Sequence, residues 1–136
     1  MFRFFAHISL IFLILSSCGN ESTPLQDVEK QLNNLINDGS SKTIIIISDL
    51  DCVTCLEYIT PKLDILSKPL FGIFLVSHKK TVKSYNDWII KTGNKVKWTN
   101  SSNIPLANSL TILWKNDPKP SFFELRNKKI VRYGLL

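Results

Sequence analysis

Thr43-Ile44-Ile45-Ile46-Ile47-Ser48-Asp49-Leu50-Asp51-Cys52-Val53-Thr54-Cys55 is the stretch that decides the fold. Its first part is β-branched and apolar without alternation, the pattern of a strand covered on both faces. Sheets of that kind carry helices on either side, which puts the chain in the α/β class. The strand ends in a short acidic turn, Asp49 to Asp51, and two cysteines with two residues between them follow at once. Leu56, Ile59, Leu63 and Leu66 then recur at helical spacing, so the order is strand, C-x-x-C, helix.

That order suits thiol chemistry. A cysteine at a helix N-terminus meets unpaired backbone N–H groups and the positive end of the helix dipole. Both favour the thiolate, which is the nucleophile in disulfide exchange. In this reading Cys52 is the attacking or attacked sulfur and Cys55, one turn on, is the resolving cysteine. Asp49 and Asp51 are the nearest proton acceptors, with solvated loop acids as the plainer account of both. A bridge between Cys52 and Cys55 would close a tiny loop and add little to stability, so the spacing favours a redox role over a stapling one.

The N-terminus bears on the compartment. Met1-Phe2-Arg3 is a short cationic start, and Ala6 to Leu15 is apolar apart from His7 and Ser9. About ten apolar residues are too few to span a bilayer, which takes about 20, and have the proportions of a signal-peptide core. Leu15-Ser16-Ser17-Cys18 resembles the lipobox of bacterial lipoproteins, which implies cleavage before Cys18 and its acylation. The expected division is a signal peptide over 1–17, a lipidated tether over 18–23 and one domain over 24–136. The protein is then expected in the bacterial cell envelope, membrane-anchored through lipid and facing the extracytoplasmic or periplasmic side. Cys18 being taken by lipid, Cys52 and Cys55 are left as the pair among the three cysteines.

The formal charge is +6. Lys79, Lys80, Lys83, Lys91, Lys95 and Lys97 make the middle of the chain basic. No aromatic residues interleave as in single-strand binders, and an extracytoplasmic site excludes nucleic acid as a partner. The cluster reads as a solvated helix face.

Around the deciding stretch, Thr23, Pro24 and Gln26 form a capping box with proline at the first helical position. Leu25, Val28, Leu32, Leu35 and Ile36 mark the apolar face of that helix, and Asp38-Gly39 stops it. Pro61 is expected to kink the helix after the cysteines. Phe71 to Val76 reads as a second buried strand. Thr81 to Thr92 reads as a helix with Val82, Tyr85, Trp88 and Ile89 inward, and Val96 to Thr99 as a short strand. Leu106 to Leu113 fits helix or strand equally. Ser121 to Leu125 and Lys129 to Tyr133 read as a hairpin turning at Arg126-Asn127-Lys128.

From Thr43 to Gly134 the chain resembles the thioredoxin-like family, in its extracytoplasmic, membrane-anchored redoxin branch. The resemblance rests on the strand leading to Cys52-Val53-Thr54-Cys55, on Pro61, and on Pro120 before Ser121-Phe122-Phe123-Glu124-Leu125 with Gly134 beyond. It implies an α/β three-layer sandwich with a central mixed sheet, reduced at the C-terminus because no final helix follows the hairpin. It implies a cis Pro120, following Lys119, that helps dock the substrate backbone against the cysteines. It implies a thiol–disulfide oxidoreductase without cofactor or metal, exchanging electrons with extracytoplasmic protein thiols or disulfides, with a membrane electron donor as a possible partner. Three departures stand out. Asp51 replaces the family's tryptophan, Ile46 falls where the family buries an acid, and no strand precedes the first helix.

Two other classes fit the same residues. A copper- or zinc-handling lipoprotein would use Cys52 and Cys55 as soft ligands with His78 as a third. A non-catalytic binding lipoprotein would keep the pair only as a structural remnant.

Overall fold

A computed structural model describes residues 21–49, 51, 53–76, 83–117 and 119–136. Residues 1–17, Cys18, Cys52, His78 and Val82 lie outside these. Helix α1 is Pro24–Leu35, strand β1 Lys42–Ser48, helix α2 Val53–Ile59, followed by a 3-10 segment, Thr60–Ile65. Strand β2 is Leu70–Leu75, helix α3 Lys83–Thr92, strand β3 Val96–Ser101 and helix α4 Ile104–Leu113. The hairpin strands are β4, Ser121–Arg126, and β5, Lys129–Leu135.

β1 lies at the centre of a five-stranded mixed sheet ordered β3-β2-β1-β4-β5. It runs parallel to β2, Ile45 opposite Gly72, and antiparallel to β4, Ile44 opposite Phe123. Successive strand residues point to opposite faces. Ile45 and Ile47 therefore enter one core, with Leu56, Ile59, Leu63, Tyr85 and Trp88 of α2, the 3-10 segment and α3. Ile44 and Ile46 enter the other, with Val28, Leu32, Leu106 and Leu110 of α1 and α4. The result is α/β in three layers, helices on both faces of the mixed sheet.

The local signals at Thr23 and at the hairpin turn act as the sequence leads one to expect. Thr23 Oγ1 accepts from the Gln26 N–H at 3.3 Å, and Gln26 Oε1 accepts from the Thr23 N–H at 2.8 Å. Each satisfies an amide that the helix leaves without a partner. Pro61 does not bend an α-helix. Instead α2 ends at Ile59 and tightens into the 3-10 segment, with Pro61 in its first turn, where the missing N–H costs least. Asn127 and Lys128 have φ of 51° and 63°, both positive, as a two-residue I′ hairpin turn requires.

Other expectations change. Leu35 is 40% exposed, leaving Val28 and Leu32 as the buried face of α1. The ambiguous 106–113 segment belongs to a helix, because Asn103 Oδ1 caps the Leu106 N–H at 2.8 Å and Pro105 occupies the first turn. The edge that lacks an N-terminal strand is filled by β3, parallel to β2. Over β4, the Arg132 guanidinium sits 5.4 Å from the Phe122 ring centre and pairs with Glu124 at 2.6 Å. Leu136 packs on the same core and donates its N–H to the Pro120 carbonyl at 2.9 Å.

Gly72 is required by its neighbour. A Cβ at this position would lie 2.0 Å from the Trp98 ring, and that ring is held by its N–H to Thr92 Oγ1 at 2.9 Å and by edge contact with Trp88. Gly72→Ala is expected to lower unfolding free energy by ~1–3 kcal/mol through overpacking, measured by urea titration.

Candidate functional site

The site is built where β1 gives way to α2, and its backbone is unusually well tied. The Asp49 N–H extends the ladder to the Leu75 carbonyl at 3.0 Å. The Asp51 N–H returns to the Ser48 carbonyl at 3.1 Å, while the Ser48 N–H donates to Asp51 Oδ2 at 2.6 Å. The turn is thus closed from both sides. From α3, the buried Tyr85 hydroxyl reaches the Asp49 carbonyl at 3.1 Å and also that of Asp51. Its ring packs 5.5 Å from that of Phe74. One side chain of α3, on the same face of the sheet as α2, therefore holds the turn that ends β1.

Cys52 itself is outside the described residues. Cys55 is the third residue of α2 and is exposed, next to a fully buried Leu56. Its thiol is accessible, so shielding does not mark it out as the resolving partner. His78, the third ligand of the metal reading, is also outside the described residues.

Asp51 is not a solvated loop acid. It is half-buried, and its carboxyl is pushed up to about 6, chiefly by burial; the Ser48 N–H opposes the rise and Asp49 adds to it. Such a group exchanges its proton near neutral pH. Ile46, in place of a buried acid, is apolar-packed against α1 and α4.

The entry to β4 reaches the same place. Lys119 and Asp51 line one small cavity of about 20 Å³, together with Ser48 and Trp114. The expected cis bond at Pro120 is absent: among the described residues the cis peptide bond is Lys68–Pro69, before β2. Pro120 needs only its carbonyl, which takes the Leu136 N–H; a proline opening a strand has no ladder donor to lose, and trans is the lower-energy isomer.

Two features escaped the sequence. Tyr85 reads there simply as an inward-facing helix residue, and nothing in spacing shows that its hydroxyl overshoots the core to reach a loop. The second is a cavity of about 390 Å³ at the carboxyl ends of β1, β2 and β3, lined among others by Ser48, Leu75, Ser101, Asn103, Ala107 and Leu110. Its signal was the helix start at Asn103-Ile104-Pro105, which places α4 across the strand ends.

Tyr85→Phe keeps the ring packing and removes the hydroxyl. It is expected to cost ~1–2 kcal/mol and to speed hydrogen exchange at Asp49 and Asp51 more than in β1. The raised Asp51 carboxyl has a pH signature. Between about 4 and 6 the folded state holds a proton that the unfolded state has lost, so this group's contribution to stability falls as pH rises through that window. Asp51→Asn should therefore gain stability relative to the parent between pH 4 and pH 6 and hold the gain above, as read from urea unfolding across that range.

No protein-family model, no curated protein and no solved structure matches this chain.

Proposed function

We propose that this chain is a thiol–disulfide oxidoreductase of the thioredoxin-like type, held to a bacterial membrane by lipid on Cys18 and acting on extracytoplasmic protein thiols or disulfides through Cys52 and Cys55. The observation that supports the reading is the placement of Cys55, second of the C-x-x-C cysteines, which is exposed in the first turn of a helix that follows the carboxyl end of the central, doubly buried strand. A mixed sheet of three parallel strands, β3-β2-β1, extended by an antiparallel hairpin, with helices on both faces, is compatible with that fold type.

In the reducing direction the Cys52 thiolate attacks one sulfur of a client disulfide. A Cys52–client bond forms, the client S–S bond breaks and one client thiolate leaves. The Cys55 thiolate then attacks Cys52, forming the Cys52–Cys55 disulfide and releasing the second client thiolate. The client has gained two electrons and, from solvent, two protons. A dithiol donor reverses the change on the enzyme, and the oxidising direction is the same sequence backwards. The compartment's potential decides between the two. Asp51 takes the Cys55 proton in the second step, since its carboxyl lies just outside α2 and titrates near neutrality. Lys119 lines the small cavity beside Asp51, while its ammonium pairs with Asp117 at 2.8 Å.

Cys52→Ser is expected to abolish exchange with a model disulfide, a loss of at least 100-fold. Cys55→Ser should retain the first step and accumulate mixed disulfides on Cys52. Retained exchange in Cys52→Ser would overturn the reading. Metabolic labelling with palmitate, lost in Cys18→Ala, tests the anchor separately.

A further inference from the structure

The two ends of the domain are not equivalent, and the direction of α1 says which of them meets the membrane. Near its C-terminus α1 is tied to the hairpin turn: Asn33 Nδ2 donates to the Lys128 carbonyl at 2.8 Å, and Glu29 accepts the Ile130 N–H at 2.8 Å. That turn lies at the amino end of β1, since Lys42 pairs with Leu125. Glu29, one turn before Asn33, meets the hairpin farther from its turn, so the first turn of α1, with Leu25 in the core shared with α4, points away from the turn; α4 lines cavities with Ser48 at the carboxyl end. So α1 runs opposite to β1, and Thr23 emerges at the end that carries Cys55. From Cys18 to Pro24 the chain has six Cα steps, and an extended chain covers at most about 20 Å over that number.

The same end carries the larger cavity. Its roughly 390 Å³ is walled by Leu75, Val76, Ile104, Ala107 and Leu110 and rimmed by serine, threonine and asparagine, and among the described residues no charged side chain lines it. Ile104, on its wall, is 70% exposed. Against these apolar walls an apolar side chain loses water on entering and gains most of the contact they offer. Ser48, Leu75 and Leu110 line both this cavity and the small one beside Asp51, so the apolar space adjoins the turn that ends β1.

We propose that the client is a membrane protein: the carboxyl end of the sheet faces the bilayer within the reach of the tether, and the cavity beside α4 receives an apolar side chain flanking a juxtamembrane disulfide of that client. This rests on the exchange reading and on lipid attachment at Cys18. Freely diffusing secreted proteins would meet the site only by passing between the domain and the membrane.

The test uses the full-length Cys55→Ser chain in cells, with mixed disulfides separated into membrane and soluble fractions. Adducts are expected with proteins of the membrane fraction. Inserting twenty Gly/Ser residues between Asn20 and Glu21 frees the domain to turn, and should lower those adducts several-fold while soluble adducts appear. Ala107→Trp, which fills the cavity, should lower adduct yield at least tenfold more than, in the otherwise native pre-reduced chain, it lowers the rate with hydroxyethyl disulfide. Predominantly soluble adducts before the insertion overturn the proposal, as do adducts indifferent to both changes. Absence of all adducts while hydroxyethyl disulfide is still reduced overturns it too. Absence of both reactions removes the exchange reading itself, and this inference with it.

Discussion

Burial of β1 on both faces is the constraint on which the rest of the structure depends. Ile44, Ile45, Ile46 and Ile47 are all at most 3% exposed, and each is worth ~1.5–3 kcal/mol on transfer from water. No single layer of helices satisfies such a strand. Ile45 and Ile47 demand α2 and α3, Ile44 and Ile46 demand α1 and α4, and the backbone groups of β1 demand strands on either side. Parallel β2 and antiparallel β4 supply those partners, so β1 has no free edge. Once it is fixed, so is the point where it ends, and the acidic turn and Cys55 are delivered to one end of the sheet.

What happens at that end depends on how little the turn can move. Ser48 and Asp51 close it from within, and Tyr85 holds it from outside with a hydroxyl delivered across the core. The same closure draws Asp51 partly out of water, which is why its carboxyl resists ionisation. A loop acid at this position is thereby made to titrate close to neutrality, on the side of the sheet where Ile46 offers no ionisable group.

Much of the fold was legible because its signals are local. The capping box at Thr23, the unalternating isoleucines and the hairpin each act within a few residues of themselves, and their outcomes follow from backbone geometry alone; Pro61, expected to kink a helix, lies instead in the 3-10 segment after it. The features that were not legible are set by distant partners. Leu106 to Leu113 has no decisive period of its own, and it becomes a helix through Asn103 and Pro105 and by packing on α1. Leu35 fits the apolar spacing of α1, yet the packing buries only Val28 and Leu32. The bond before Pro120 follows from the β4 entry and its contact with Leu136, not from the proline itself. Of the site, sequence alone pointed to the cysteine pair and its acidic neighbours, but neither the burial of Asp51 nor the hydroxyl of Tyr85 leaves a trace in spacing.

Both margins of the sheet are strands, β3 and β5, and each exposes backbone groups to any extended chain that passes. β3 carries Lys97 and β5 carries Lys129 and Arg132, and the pairing of β4 with β5 is broken by a bulge between Glu124 and Leu125. Cationic margins and a twisted hairpin make edge-to-edge stacking of neighbouring copies costly. Copies held at high local concentration meet one another far more often than dilute ones, and these margins oppose the growth of edge-to-edge aggregates.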